Sequence, residues 1–363
     1  MQKKLIAAAV AALASTGAMA QVTMYGIADA FLFSAKAEGV NGSATKVGVG
    51  SGLLSGPRLG FKGEEDLGDG MKAVALYEVA VNLDDGSYPA AYSATQTGAF
   101  GRTRQAYVGL QGAMGRLSLG QQYTHGYFAP GNNDGFAAAI ISPQTVLAVM
   151  AGSNVVPTSA TRVSNSVNYV SNAMGPLTLN ALYGFGETNK DSAAGTKGKS
   201  GNTLALGANV KLGALNVDGV YVQKNTTDDL KQTDLFLGAA YNLGVATVGF
   251  SYQTVDKDQA APADDIEDKV VQVNAIVPVG KGNIHVGYGQ LDRSKVTDDK
   301  AKSIALAYTH ALGKRTTLFA GYNRTSTGNS SPFAGASAGV VVPVAVANGK
   351  ASTIVATGLR LTF

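Results

Sequence analysis

The sequence predicts an all-β chain closed into a 16-stranded antiparallel transmembrane β-barrel. Two observations lead there: a period-2 alternation that runs almost throughout, and connections that alternate between short and long. In "TLALGANVKL", Leu204, Leu206, Ala208, Val210 and Leu212 share one parity, and Thr203, Ala205, Gly207, Asn209 and Lys211 share the other. Successive side chains of a strand point to opposite faces. "PLTLNALYGF", "ATVGFSYQ" and "SIALAYTHAL" repeat the pattern, apolar on one face and small or polar on the other. A small polar face is a poor half of a packed sandwich and a good lining for water.

Short connections are expected near Glu64–Gly70, Gly112–Gly115, Ser171–Gly175, Gly213, Leu243–Gly244, Gly280–Gly282 and Gly313–Lys314. Longer polar stretches fall between them, at Ala35–Ser55, Asp84–Ala99, Tyr123–Thr161, Glu187–Ser200, Asn225–Lys231, Asp256–Asp268, Asp292–Ala301 and Ser326–Lys350. Seven turns and eight loops imply 16 strands. Strands of about 11 residues are long enough to cross a bilayer when tilted. The closing strand is "ATGLRLTF", with Leu359, Leu361 and Phe363 outward and Arg360 inward. It is expected to pair with "VTMYGIADAF", because a barrel leaves no free edge.

The start of the chain bounds the compartment. Met1–Ala20 carries Lys3 and Lys4, an apolar stretch and the small-residue site Ala18-Met19-Ala20, the form of a secretory signal peptide. Residues 21–363 are then a single barrel domain. Removing Lys3 and Lys4 lowers the formal charge from +4 to +2, which gives no reason to expect nucleic acid as a partner. There is no Cys, so an exported chain of this kind relies on its backbone ladder and packing rather than on disulfides. Beyond the signal segment no apolar run approaches the roughly 18 residues of a spanning helix. A closed barrel is the other way to satisfy the backbone in lipid. Aromatics such as Tyr25, Phe61, Tyr107, Tyr169, Tyr183, Tyr241, Tyr288 and Phe363 are expected near strand ends, as an interfacial girdle.

"GPRLGFKGEEDLGDGMKAVALYEVAV" (Gly56–Val81) resembles the general trimeric porins of Gram-negative bacteria, the beta-proteobacterial branch especially. "FGRTRQAYVGL", "GRLSLGQQY", "RVSNSVNYVS" and the terminal Phe363 fit the same pattern in the same order. The resemblance implies a homotrimer in the outer membrane, one water-filled pore per subunit for small ions and solutes, and a third loop folded inward. Here that loop is Tyr123–Thr161, with "APGNNDGF" where the family has a Pro-Gly-acidic segment. It also implies that Phe363 is read by the barrel assembly machinery, and that lipopolysaccharide and other outer-membrane lipids surround the barrel.

Passive diffusion needs a hole of defined size and a field across it rather than a nucleophile. Arg58 and Lys62 share the inward parity opposite Leu59 and Phe61. Arg102 and Arg104 are likewise inward, which puts Tyr107 outside. By resemblance Arg58 and Arg104 match the family's basic ladder. Arg162 offers a third rung, while Asn168 stands where many relatives carry a basic residue, and the third rung stays open between them. Asp134 is the one acid between Tyr123 and Thr161 and is expected to face the ladder. One acid against several bases predicts a positive constriction and an anion preference.

"DDIED" (Asp264–Asp268) reads as a solvated acidic loop, with a divalent-cation or lipopolysaccharide site as the alternative. His125, His285 and His310 are far apart, and no metal site, cofactor site or catalytic triad is expected. The competing classes are an outer-membrane barrel enzyme of the lipase or protease type, which would need a Ser/His/Asp-like set, and a soluble secreted all-β binding protein, which would not need apolar outward faces.

Overall fold

The alternation becomes a wall. The computed structural model describes residues 21–84, 103–186, 198–262, 265–294, 299–328, 336–337, 340–341 and 346–363. Residues 1–20 and Arg102 lie outside these. The strands are β1 (Gln21–Gly39), β2 (Gly42–Ser51), β3 (Arg58–Gly68), β4 (Met71–Ala80), β5 (Thr103–Gly112), β6 (Gly115–Tyr123), β7 (Arg162–Ser171), β8 (Leu177–Gly184), β9 (Thr203–Leu212) and β10 (Leu215–Asn225). They continue as β11 (Lys231–Asn242), β12 (Thr247–Lys257), β13 (Ile266–Val279), β14 (Gly282–Asp292), β15 (Lys300–Ala311) and β16 (Thr316–Ser326). After the short β17 (Ala336–Ser337) and β18 (Val340–Val341), β19 (Ala351–Thr362) closes the barrel.

Seventeen of these strands form one closed antiparallel sheet. β1 pairs with β3 along Gln21–Ile27 and with β2 along Ala30–Gly39, so β2 and β3 share one position and the barrel has 16. Closure runs from Ile27↔Thr362 to Ala37↔Ser352. All seven short turns lie where the sequence places them. At the β3–β4 turn Asp69 and Gly70 both have positive φ, the hairpin geometry that suits the twist of the flanking strands. The first long loop is shorter than the sequence suggests. β1 and β2 stay paired to Gly39↔Gly42, because the alternation persists there, with Phe31, Phe33, Ala35 and Ala37 inward and Leu32, Val47 and Val49 outward.

Outward residues are the exposed large apolar ones, including Leu204, Leu206, Leu306, Val355, Leu359, Leu361 and Phe363. This is the face a barrel presents to lipid. Tyr77, Tyr169, Tyr183, Tyr241, Tyr288 and Tyr308 also face out. Two expected girdle residues do not. Tyr25 turns inward and donates to Glu78 Oε2 at 2.7 Å, and Tyr107 meets Arg116 inside the barrel.

The inward face is small for a different reason from the one its composition suggests. The segment between β6 and β7 enters the lumen and lies against β9–β16. It carries the helices α1 (Ala129–Asn133) and α2 (Pro143–Met150). Inward glycines make room for it. A Cβ on Gly238 would stand 2.8 Å from Asn133, one on Gly287 2.8 Å from Phe136, and one on Gly289 2.7 Å from Leu147. Gly207 and Gly321 do the same for His125 and Ile141. The core of the protein is therefore the filling of the barrel. Phe136 and Ile141 pack with Phe31, Phe33, Leu53 and Phe319. Ala129 and Val155 pack with Val163, Leu182 and Phe236, and Leu147 with Val255, Val270 and Leu291. Each fully buried side chain of this size contributes roughly 1.5–3 kcal/mol.

Polar ties fix the loop. Asp234, fully buried on β11, accepts from Ser153 Oγ at 2.7 Å, Asn154 N at 3.0 Å and Asn154 Nδ2 at 2.9 Å. Asp218 on β10 accepts from Asn133 Nδ2 at 2.8 Å and meets His125 Nε2 at 2.7 Å. At the C-terminus of α2, Lys257 Nζ donates to Ala151 O at 2.6 Å and Arg293 Nη2 to Met150 O at 3.1 Å. Cations are favoured at that end of a helix.

Candidate functional site: the pore constriction

With the third loop pressed on β9–β16, the charged residues of the opposite wall converge. Arg58 opens β3 and is in register with Ile27 on one side and Ala80 on the other. Arg104 lies on β5, beside Tyr123 at the end of β6, and Tyr123 is in register with Arg162 at the start of β7. The guanidinium carbons of Arg104 and Arg162 stand 5.8 and 5.7 Å from the Tyr123 ring centroid, so one ring spaces two cations. Tyr127 stacks on Tyr123 at 3.8 Å and its hydroxyl accepts from Arg104 Nη2 at 2.7 Å.

The ladder depends on three irregularities in adjacent strands. The β4–β5 register slips between Glu78↔Gln105 and Val79↔Thr103, leaving Arg104 as the extra residue. β6 slips against β7 between Gly120 and Gln122, and Asn165 on β7 has φ 48°. A bulge re-aims side chains and resets parity. Strict alternation from Arg104 predicts Tyr107 outside; the bulge turns Tyr107 inward, where Arg116 Nη1 donates to its hydroxyl at 3.0 Å.

Parity and resemblance leave two charged members out of the ladder: Glu78, and Arg360, which parity places inward without giving it partners. Glu78 on β4 is 3% exposed and accepts from Arg104 Nε at 2.7 Å, with Arg58 Nη1 4.0 Å from the same oxygen. An acid on the inward parity of a strand whose other charge, Lys72, lies at the turn end is the signal that points to it, since ionisable groups inside membrane segments are expensive and need partners. Arg360 on β19 is in register with Asp29 and donates from Nη1 to Ser55 Oγ at 3.3 Å. Asp29 itself is fully buried and accepts the backbone N–H groups of Leu53, Leu54 and Ser55 at 2.9–3.0 Å, which folds the chain between β2 and β3 inward. Four guanidinium groups thus share the wall with two carboxylates, both already engaged.

The other expected residues sit elsewhere. Lys62 lies nearer the short-turn end, half exposed and ion-paired with Glu64, which also meets Lys72 at 3.6 Å. Asp134 does not face the ladder. It is 6% exposed and folds the loop tip: its carboxylate accepts from Phe136 N at 3.2 Å, Ala138 N at 3.1 Å and Gln272 Nε2 at 3.0 Å. Those bonds hold Ala137 and Ala138 at φ 49° and 59°, a left-handed pair that non-glycine residues seldom adopt. Burial pushes the Asp134 carboxyl above the usual carboxylate range. The rim that the loop turns to the lumen is therefore uncharged, with Phe128, Asn132 and Ala137 exposed. Asn168 is buried on β7, where Asn180 Nδ2 donates to its Oδ1 at 3.0 Å. In the acidic stretch Asp264 lies outside the described residues. The pleat sends Glu267 out and Asp268 in, so those two acids do not cluster.

A row of guanidinium groups facing an uncharged loop rim inside a transmembrane barrel is the architecture of a diffusion channel, and the comparisons agree. A family model described as Gram-negative porin matches residues 7–330. The chain is 31% identical to outer membrane porin protein 32 of Delftia acidovorans, across the full length of both proteins. The chain is a Gram-negative porin. It is also 28% identical to an outer membrane porin protein of Bordetella pertussis, covering 88% of this chain and 93% of that one. Among solved structures, an anion-selective porin from Comamonas acidovorans superposes with a TM-score of 0.80 at 25% identity, covering 95% of this chain and all of that one. The porin resides in the outer membrane and forms a channel through it.

Proposed function

We propose that this porin conducts small hydrophilic solutes with a preference for anions, and that Arg58, Arg104, Arg162 and Arg360 produce the preference. The observation that carries this is the row of guanidinium groups on one wall facing a loop rim without charge. Each Arg keeps its charge at any working pH, and a water-filled lumen with one sign of fixed charge concentrates the opposite ion. Lys62 adds weakly from the mouth, and Asp134 acts by shaping the loop. The name of the Comamonas structure, an anion-selective porin, supports the same reading. Replacement experiments in planar bilayers test it. Exchanging chloride for a bulky anion lowers conductance more than exchanging potassium for a bulky cation. The double variant Arg58→Gln/Arg104→Gln makes the two losses similar.

We further propose residues 1–20 as a cleaved signal peptide, assembly as a homotrimer, outer-membrane lipid and lipopolysaccharide as surroundings, and recognition of Phe363 by the barrel assembly machinery. Phe363 and Gly26 exchange two backbone hydrogen bonds of 2.8 and 3.1 Å, which join the end of β19 to β1. The porin is proposed to be a channel without catalytic activity, in keeping with relatives named as porins.

A further inference from the structure

Beside the ladder, toward the long-loop end, a side cavity of about 410 Å³ opens between β7, β9 and β10. That volume is in the range of small-molecule sites. Among the described residues its lining contains two cations, Arg162 and Lys224, and no acid. Thr203 lines the wall between them, in register with Lys224. Val163 and Val222, both buried, form an apolar floor. Thr124 is 1% exposed and lines the same cavity, and its Oγ1 is buried with no hydrogen-bond partner among the described residues. A buried hydroxyl left without a partner costs about 1–3 kcal/mol, so a bound polar group there is favoured.

We infer that this cavity is a binding site for a small organic carboxylate, held at its charged end by Lys224, Arg162 and the Thr124 hydroxyl and at its apolar end by Val163 and Val222. The inference rests on the anion-channel reading and adds a saturable step to it. The two cations of the described lining favour an anion. The valine floor selects one with a hydrocarbon body over a fully hydrated inorganic anion, whose hydration would be lost there without replacement. Arg162 belongs to both the cavity and the ladder, so a carboxylate leaving the site meets the Arg104 side of Tyr123 next. A solute of this class is handed to the constriction, whereas chloride passes by.

Benzoate is a suitable probe, with inorganic phosphate as the comparison. The assay is the concentration dependence of inhibition of chloride current through the full-length porin in planar bilayers. Benzoate is expected to inhibit saturably, and Lys224→Gln and Thr124→Val are each expected to raise the half-inhibitory concentration about tenfold. Lys224 is exposed, so its replacement leaves the barrel intact, which heat-modifiable gel migration confirms. Equal half-inhibitory concentrations in wild type and both variants overturn the site. Inhibition by phosphate that matches benzoate and responds to the same variants overturns the organic class. The wild-type reversal potential is recorded in the same membranes. A cation-selective value there would refute the underlying channel reading instead, so the two failures are distinct.

Discussion

Replacing Glu78 by Gln should increase anion selectivity. Glu78 stands 2.7 Å from Arg104 Nε and 4.0 Å from Arg58 Nη1, on the wall that permeating ions pass. An ion about 6 Å from a unit charge feels ~0.7 kcal/mol at the dielectric of water. With a Debye length of about 10 Å at 0.1 M salt, ~0.4 kcal/mol remains. Removing the carboxylate lowers the energy of an anion by that amount and raises that of a cation equally. The anion-to-cation permeability ratio then rises about fourfold. Gln keeps an acceptor for Arg104 Nε, so the loss is that between a charged and a neutral hydrogen bond, about 1 kcal/mol, and the barrel should still fold. The assay is the permeability ratio from reversal potentials in a KCl gradient. Glu64→Gln is the control: that acid sits with Lys62 and Lys72 near the mouth, partly exposed, and should change the ratio by less. An unchanged or reduced ratio for Glu78→Gln, in protein that migrates as folded, would refute the assignment of selectivity to this wall.

Three further outcomes follow from how the third loop is held. Asp234→Asn turns one acceptor facing Ser153, Asn154 and Gln232 into a donor, at roughly 1–3 kcal/mol; open-channel current noise should rise and the heat-modification temperature should fall. Gly289→Val places atoms where Leu147 and Pro143 pack, costs about 1–3 kcal/mol and pushes the loop toward the axis, which lowers single-channel conductance. Asp134 is held above the usual carboxylate range by burial, so the folded tip binds a proton more tightly than an opened one. Its stabilising contribution is full at acid pH and is lost as pH rises through the raised value. Channel fluctuations should therefore fall on acidification through that window, and Asp134→Asn should reduce the pH dependence.

Much of this architecture is legible in the sequence, because lipid enforces it. Leu204, Leu206 and Val355 alternate with small residues since every strand has a lipid side, and glycines and short polar residues mark turns that must be tight. Arg58, Arg104 and Arg162 are legible through resemblance and parity. The rest was hidden by contacts distant in sequence. Gly207, Gly287 and Gly321 look like water lining until His125, Phe136 and Ile141 are seen against them. The parity of Tyr107 fails because a single bulged residue, Arg104, resets it. Asp134 looks like a pore acid because it is the lone carboxylate of its loop, yet a left-handed turn at Ala137 and Ala138 needs its oxygens more than the lumen does. Glu78 and Arg360 become partners of the ladder only once strands β4 and β19 are placed on the same wall.

The central claim is that the fixed charge of the constriction is positive. The reversal potential of the wild-type porin across a tenfold KCl gradient tests it most directly. A potential of the sign set by chloride, reduced in the Arg58→Gln/Arg104→Gln variant, is the predicted result. A potential of the sign set by potassium in the wild type would contradict it.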